Sequence, residues 1–253
     1  MALKPNHEPM SIDCKNCETV FEGRFCPQCG QKATVGRLTV GHVLEEGWHS
    51  VTHTDKSFLA LLGAMIGDPG RVINEYIAGK RKKYFSPYMF YVVITGLLIF
   101  VTMKVFAKED ALYHKYDEFG RIEYEEYELL VLFSIPILAL FFRLIFLRGK
   151  YNYAEWATVL VFAFGLANFV GLPVQLFYLL FTRLHFIGYP YTSLIDYVVL
   201  VYVLARVIAP LKWWNWLQVL VCVVFVYVFI TYVANPVALL LHGLPWEAVQ
   251  YSF

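Results

Sequence analysis

Four cysteines, Cys14, Cys17, Cys26 and Cys29, are arranged as C-K-N-C, eight further residues, then C-P-Q-C-G. A C-x-x-C loop lets two sulfurs face one ion, and two such loops supply the four soft donors of a tetrahedral metal site. Pro27 and Gly30 suit the tight turn around the second pair. The segment has few apolar residues to bury, so a metal is its route to a stable fold. The spacing therefore predicts structural Zn2+ in a zinc-ribbon-like knuckle over 14–31. A rubredoxin-like iron site and four unliganded thiols are the alternatives. No open coordination position is implied, so catalytic zinc is not expected.

Other candidates are weaker. On a helical wheel His42, Glu46, His49 and His53 share one stripe, which suits either a metal or the polar face of an amphipathic helix at the headgroup level. The consecutive Lys80, Arg81, Lys82 and Lys83 abut an apolar run, which favours contact with an anionic membrane surface over nucleic acid. Asn168, Gln175, Asp196 and Arg206 are polar residues in or beside apolar runs, a candidate intramembrane polar path. Hydrogen bonding between helices explains Asn168 and Gln175 equally well. Arg143, Glu155 and Arg206 lie near run ends, where snorkelling suffices. No G-x-S-x-G, H-E-x-x-H or Walker loop is present, so no enzymatic activity is expected.

The elements that must position these groups are mostly apolar. Of 253 residues 58% are hydrophobic, and mean hydropathy is +0.53. Soluble domains hold about 45–50%. The net charge of +1 argues against nucleic acid as a partner. Residues 1–13 are expected to be a disordered tail without a secretory h-region. That leaves the knuckle in the reducing cytoplasm, where paired cysteines bind metal rather than form disulfides. Residues 32–86 should be a linker and amphipathic interfacial helices over about 41–53, 57–66 and 69–78, with a Gly67-Asp68-Pro69-Gly70 turn whose proline opens the third and Gly79 ending it.

Residues 87–253 should be the transmembrane domain, with about five spans at 87–103, 129–147, 156–181, 194–209 and 216–234. Pro173 should kink or break the third. Cys222 reads as a small buried hydrophobe. Basic residues flank one set of span ends, and the acidic 104–128 loop lies on the other side. The positive-inside rule then puts the N-terminus in the cytoplasm and the C-terminus on the opposite side. Tyr84, Phe85, Trp156, Trp213, Trp214 and Trp216 read as interfacial aromatics. The fold class is all-α, a polytopic membrane helical bundle with a small N-terminal knuckle.

The knuckle, the D-P-G-R turn, the stretch E-Y-I-A-G-K-R-K-K-Y-F-S-P and the run Y-N-Y-A-E-W-A-T-V-L-V-F-A-F together resemble one family. It is the bacterial membrane-protein family of unknown function numbered 3667. The resemblance covers about residues 14–170, and Tyr76 to Pro87 is its most specific part. It implies an inner-membrane architecture and no established activity. Members often carry Glu-His where this chain has Glu155-Trp156. In architecture alone the chain also resembles the Yip family. The expected role is an adaptor or scaffold, holding a protein partner through its N-terminal region and seated in the lipid bilayer. The alternative is a small-solute or ion transporter or channel with a regulatory zinc module.

Overall fold

Apolar runs punctuated by proline and glycine fold into helices, and the cysteine segment folds into a small hairpin unit. The computed structural model describes residues 11–41, 57–108, 118–147, 149–180, 190–234, 236, 237 and 240. Strand β1 (Ile12–Asp13) pairs antiparallel with β2 (Val20–Phe21), Ile12 opposite Phe21 and Asp13 opposite Val20. The first strand thus uses two residues expected in the disordered tail. The helices are α1 (Ser57–Gly67), α2 (Pro69–Ala78), α3 (Pro87–Lys108), α4 (Glu118–Ile145), α5 (Tyr153–Leu180), α6 (Pro190–Ile208) and α7 (Trp213–Phe229). A π-helical turn, Ile230–Ala234, extends α7.

Helix α5 is the centre. It packs against α3, α4 and α6, and from Thr158 to Ala167 every residue with a side chain is buried. A helix apolar on all sides belongs inside a bundle. Gly165 lets α3 come close, since a Cβ there would meet a Phe90 ring carbon at 2.8 Å. Helices α4 and α7 instead turn apolar side chains outward, among them Phe133, Ile137, Leu140, Leu217, Leu220 and Val224. Among the described residues, three stretches are long and apolar enough to cross a membrane: Glu128–Ile145, Tyr153–Val174 and Trp213–Ala234.

The five expected spans fall on the five long helices, but among the described residues only those three meet the length and apolarity of a span; the apolar part of α3, Pro87–Val101, is shorter. The acidic segment is not all loop, because α4 starts at Glu118. Glutamate is a good helix former, so the helix runs past the apolar boundary. Helix α5 also continues through Pro173. Its ring side is exposed, and the loss of one backbone donor does not end a helix held by neighbours along its length.

The short helices are packed onto the bundle rather than laid beside it. Leu61 and Met65 of α1 and Val72, Ile73 and Tyr76 of α2 are buried. Asp68 caps α2 by accepting from the Arg71 amide at 3.2 Å, with Pro69 in the first turn. Gly79 ends it in the left-handed region at φ 116°. The Gly79 amide donates to the Tyr76 carbonyl at 3.1 Å and that of Lys80 to the Glu75 carbonyl at 2.9 Å, a Schellman closure. Trp156, Tyr84 and Phe85 are not interfacial: Trp156 is buried against Phe142, Phe146 and Tyr151, and Phe85 meets Phe58 edge-on. Trp213, Trp214 and Trp216 are exposed, and Cys222 is buried as expected.

Gly70 sets where α2 meets the end of α6. A Cβ there would lie 2.2 Å from the Arg206 carbonyl oxygen, and a backbone atom cannot swing aside. Gly70→Ala should therefore destabilise the fold by about 1–3 kcal/mol despite alanine's better helix propensity. Thermal unfolding of the detergent-solubilised protein checks this; an unchanged or raised midpoint would disprove the close contact.

Candidate metal centre

The knuckle is one unit used twice, offset by twelve residues from Cys14 to Cys26. The Cys14 amide donates to the Thr19 carbonyl at 3.0 Å, and the Cys26 amide to that of Gln31 at 2.8 Å. Glu18 donates back to the Cys14 carbonyl at 2.8 Å, as Gly30 does to that of Cys26 at 2.9 Å. The Asp13–Val20 pairing recurs as a Phe25–Lys32 bridge. Both loops need a left-handed residue after their second cysteine: Gly30 at φ 70° and Glu18 at φ 63°. Glycine takes this conformation freely and glutamate does not.

The repeat brings the four sulfurs together, all within 4.8 Å of one another. Cys14 Sγ lies 3.5 Å from Cys29 Sγ, and Cys17 Sγ 3.5 Å from Cys26 Sγ. These separations are far beyond the ~2.05 Å of a disulfide. They are close to the ~3.8 Å between thiolates around a tetrahedral zinc with ~2.3 Å bonds. The site fits a metal in number, softness and spacing of donors. The Thr19 hydroxyl and amide hold the Cys17 thiol down to about 6, while burial pushes Cys29 up to about 11. A cation that favours thiolates relieves that imbalance.

The site is fastened to the bundle. Gln31 is buried, and its Oε1 accepts from the Arg81 and Lys82 amides at 3.3 and 3.4 Å. Asn16 Oδ1 accepts from the Lys83 amide at 2.9 Å. Beyond the knuckle, Arg37 forks onto Glu155, with Nε and Nη2 each 2.8 Å from a carboxylate oxygen. Glu155 also caps α5 reciprocally with Asn152, its carboxylate accepting from the Asn152 amide at 2.7 Å and its amide donating to Asn152 Oδ1 at 2.9 Å. Glu155 is a buried structural anion and not a snorkelling end residue.

The basic cluster is largely occupied by this assembly. Lys83 Nζ lies 2.6 Å and Lys80 Nζ 3.8 Å from Glu75 oxygens, and Arg81 donates to the Gly36 carbonyl at 2.9 Å. Lys82 is exposed. Where they are described, the polar residues of the apolar runs have separate partners. Asn168 is buried and donates to Thr95 at 2.8 Å and Glu128 at 2.7 Å, joining α5 to α3 and α4. Arg206 pairs with Asp68 at 3.1 Å, ten helical residues, or ~15 Å, from half-buried Asp196. The Gln175 side chain lies outside the described part, as do His42, Glu46, His49 and His53. Sequence reasoning missed Asn16, Gln31, Arg37, Glu75 and Glu128. The one advance signal was Glu128 itself, an acid directly abutting an apolar run.

Two outcomes follow from these contacts. Glu18→Gly should relieve the left-handed strain by about 0.5–1 kcal/mol, tightening metal binding roughly two- to five-fold in a chelator competition; equal or weaker binding would refute it. Hydrogen bonds from Lys83 and then Tyr84 hold the Glu75 carboxyl down from 4.5 to about 2. A depressed carboxyl stabilises the fold above its ordinary range and loses that contribution as pH falls from about 4.5 towards 2. Glu75→Gln should thus cost about 1 kcal/mol near neutral pH after solvent screening and little near pH 2. Thermal melts across pH test this; a difference independent of pH would reject it.

Comparison with known proteins adds one match. A family model described as Protein of unknown function (DUF3667) matches residues 55–99, which hold the α2 cap, the Schellman closure and the loop that carries the knuckle. No curated protein and no solved structure matches the chain. Over this segment the chain is similar to the family of unknown function numbered 3667.

Proposed function

We propose that this is a multi-pass inner-membrane protein whose cytoplasmic zinc knuckle holds a protein partner, an adaptor or scaffold rather than an enzyme. The observation that carries the reading is the way the knuckle is mounted. While it is fastened to the bundle, Val20 and Phe25 remain 61% and 57% exposed. Apolar side chains on a small, metal-stiffened module suit protein recognition. The orientation draws support from charge at the knuckle-bearing end. Lys80 to Lys83, Lys150, Arg206 and Lys212 lie there, beside exposed Trp213 and Trp214. Basic residues with an aromatic belt suit the cytoplasmic face.

The transporter reading keeps one supporting observation, the buried Asn168 between Thr95 and Glu128. Both Asn168 amide hydrogens are taken by neighbouring helices, which suits a helix-to-helix tie better than an open path.

Elemental analysis of the purified protein should find about one zinc per chain, absent from a Cys26→Ser, Cys29→Ser variant. Cross-linking in membranes should capture a protein with the wild type and lose it with Val20→Ser, Phe25→Ser, whose zinc content stays normal. A metal-free wild type would sink the zinc centre. Identical capture by the wild type and the surface variant would sink the adaptor role.

A further inference from the structure

The residues that fasten the knuckle are carried by its own metal loops. Lys15 and Asn16 lie between Cys14 and Cys17, and Gln31 is the second residue after Cys29. Asn16 and Gln31 supply acceptors to three consecutive amides, those of Arg81, Lys82 and Lys83. The stem of Lys15 lies over Gly79, so close that a Cβ there would come within 3.0 Å of it, and its ammonium donates to the Val35 carbonyl at 2.7 Å. The loop amides therefore find their side-chain acceptors on two separate turns of the knuckle. Only a knuckle with both turns in place satisfies all three amides.

What keeps the two turns in register is the sulfur cluster. The buried core of the knuckle is Cys14, Phe21 and Cys26, with Ile12, Cys17, Cys29 and Ala33 packed against it. Four of those seven residues are the candidate ligands, so a single phenylalanine is the one large side chain in the core. So small a core does not hold a fold without a cross-link.

We propose that the metal-loaded knuckle is a latch on residues 81–83. With metal bound, Asn16 and Gln31 hold the loop amides and fix the loop against the bundle. Loss of metal separates the two turns and releases the amides, leaving the loop free where it leads into α3. Lys80 and Lys83 stay with Glu75 on α2, so the change is confined to the 81–83 backbone and its knuckle contacts. The coupling is reciprocal: docking onto the loop tightens the metal site as much as the metal tightens the dock. The latch rests on the metal-centre reading above and not on the adaptor role.

The test is hydrogen exchange on the full chain in detergent, with zinc and after chelation, alongside an Asn16→Ala, Gln31→Ala variant, with zinc content measured in each. Chelation should raise exchange at the amides of residues 81–83 about tenfold or more. The α4 turn that carries buried Leu138, Ala139 and Phe142 should not change. The variant, whose ligands are intact, should retain zinc, bind it several-fold more weakly, and exchange quickly at 81–83 even when loaded. Exchange at 81–83 that ignores zinc would overturn the latch. So would an equal rise in α4, or a variant protected like the wild type. A wild type that holds no zinc removes the metal centre and the latch together, and elemental analysis separates that failure from the others.

Discussion

The Glu155 carboxylate is the constraint around which the two parts of the protein are arranged. It sits at the first turn of α5, the helix that α3, α4 and α6 pack around, and its residue is 2% exposed. A carboxylate removed from water needs charge-assisted partners. The Asn152 amide supplies one, and the fork from Arg37 supplies two more. Arg37 belongs to the linker after the knuckle, and the next residue, Leu38, is buried in the main core. The requirement of one buried charge thus anchors the linker, and with it the position of the knuckle over the end of α5.

The same economy explains why the stretch from Asp68 to Pro87 has a recognisable pattern. Asp68 caps α2 and pairs with Arg206; Gly70 admits the α6 backbone; Asn74 donates to the Val207 carbonyl. Glu75 takes Lys83 and Tyr84, and Gly79 makes the left-handed exit. Gly79 is doubly constrained, since a Cβ there would also press on the Lys15 stem at 3.0 Å. Each position meets a backbone or charge requirement imposed from elsewhere in the chain, so changes there are costly.

The pattern also alters the meaning of the basic cluster. Four consecutive cations before an apolar run suggest a lipid-facing patch. In the structure two of them neutralise Glu75, one reaches the linker, and their backbone serves the knuckle. Charge at this end still suits the inner side of a membrane, but much of it is held internally rather than offered to headgroups.

The four-cysteine cluster able to hold a metal was legible at once, because ligand chemistry is local and two C-x-x-C loops point to one shared site. The helical class was legible from apolar runs, and the bounds of α2 from Pro69 and Gly79, since both residues act within one turn. The rest depends on contacts between distant residues. Arg37 and Glu155 are 118 positions apart, and Gly70 meets Arg206. Trp156 looked interfacial because sequence shows only its distance from a run end, whereas its burial depends on where Phe142, Phe146 and Tyr151 arrive. Glu18 gave no sign of a left-handed backbone, which the repeat imposes through its match to Gly30. Local rules thus account for the ligands and the helix ends. The docking of one part on the other follows from buried charges and backbone amides that must find partners across the fold, and spacing along a chain does not encode those partners.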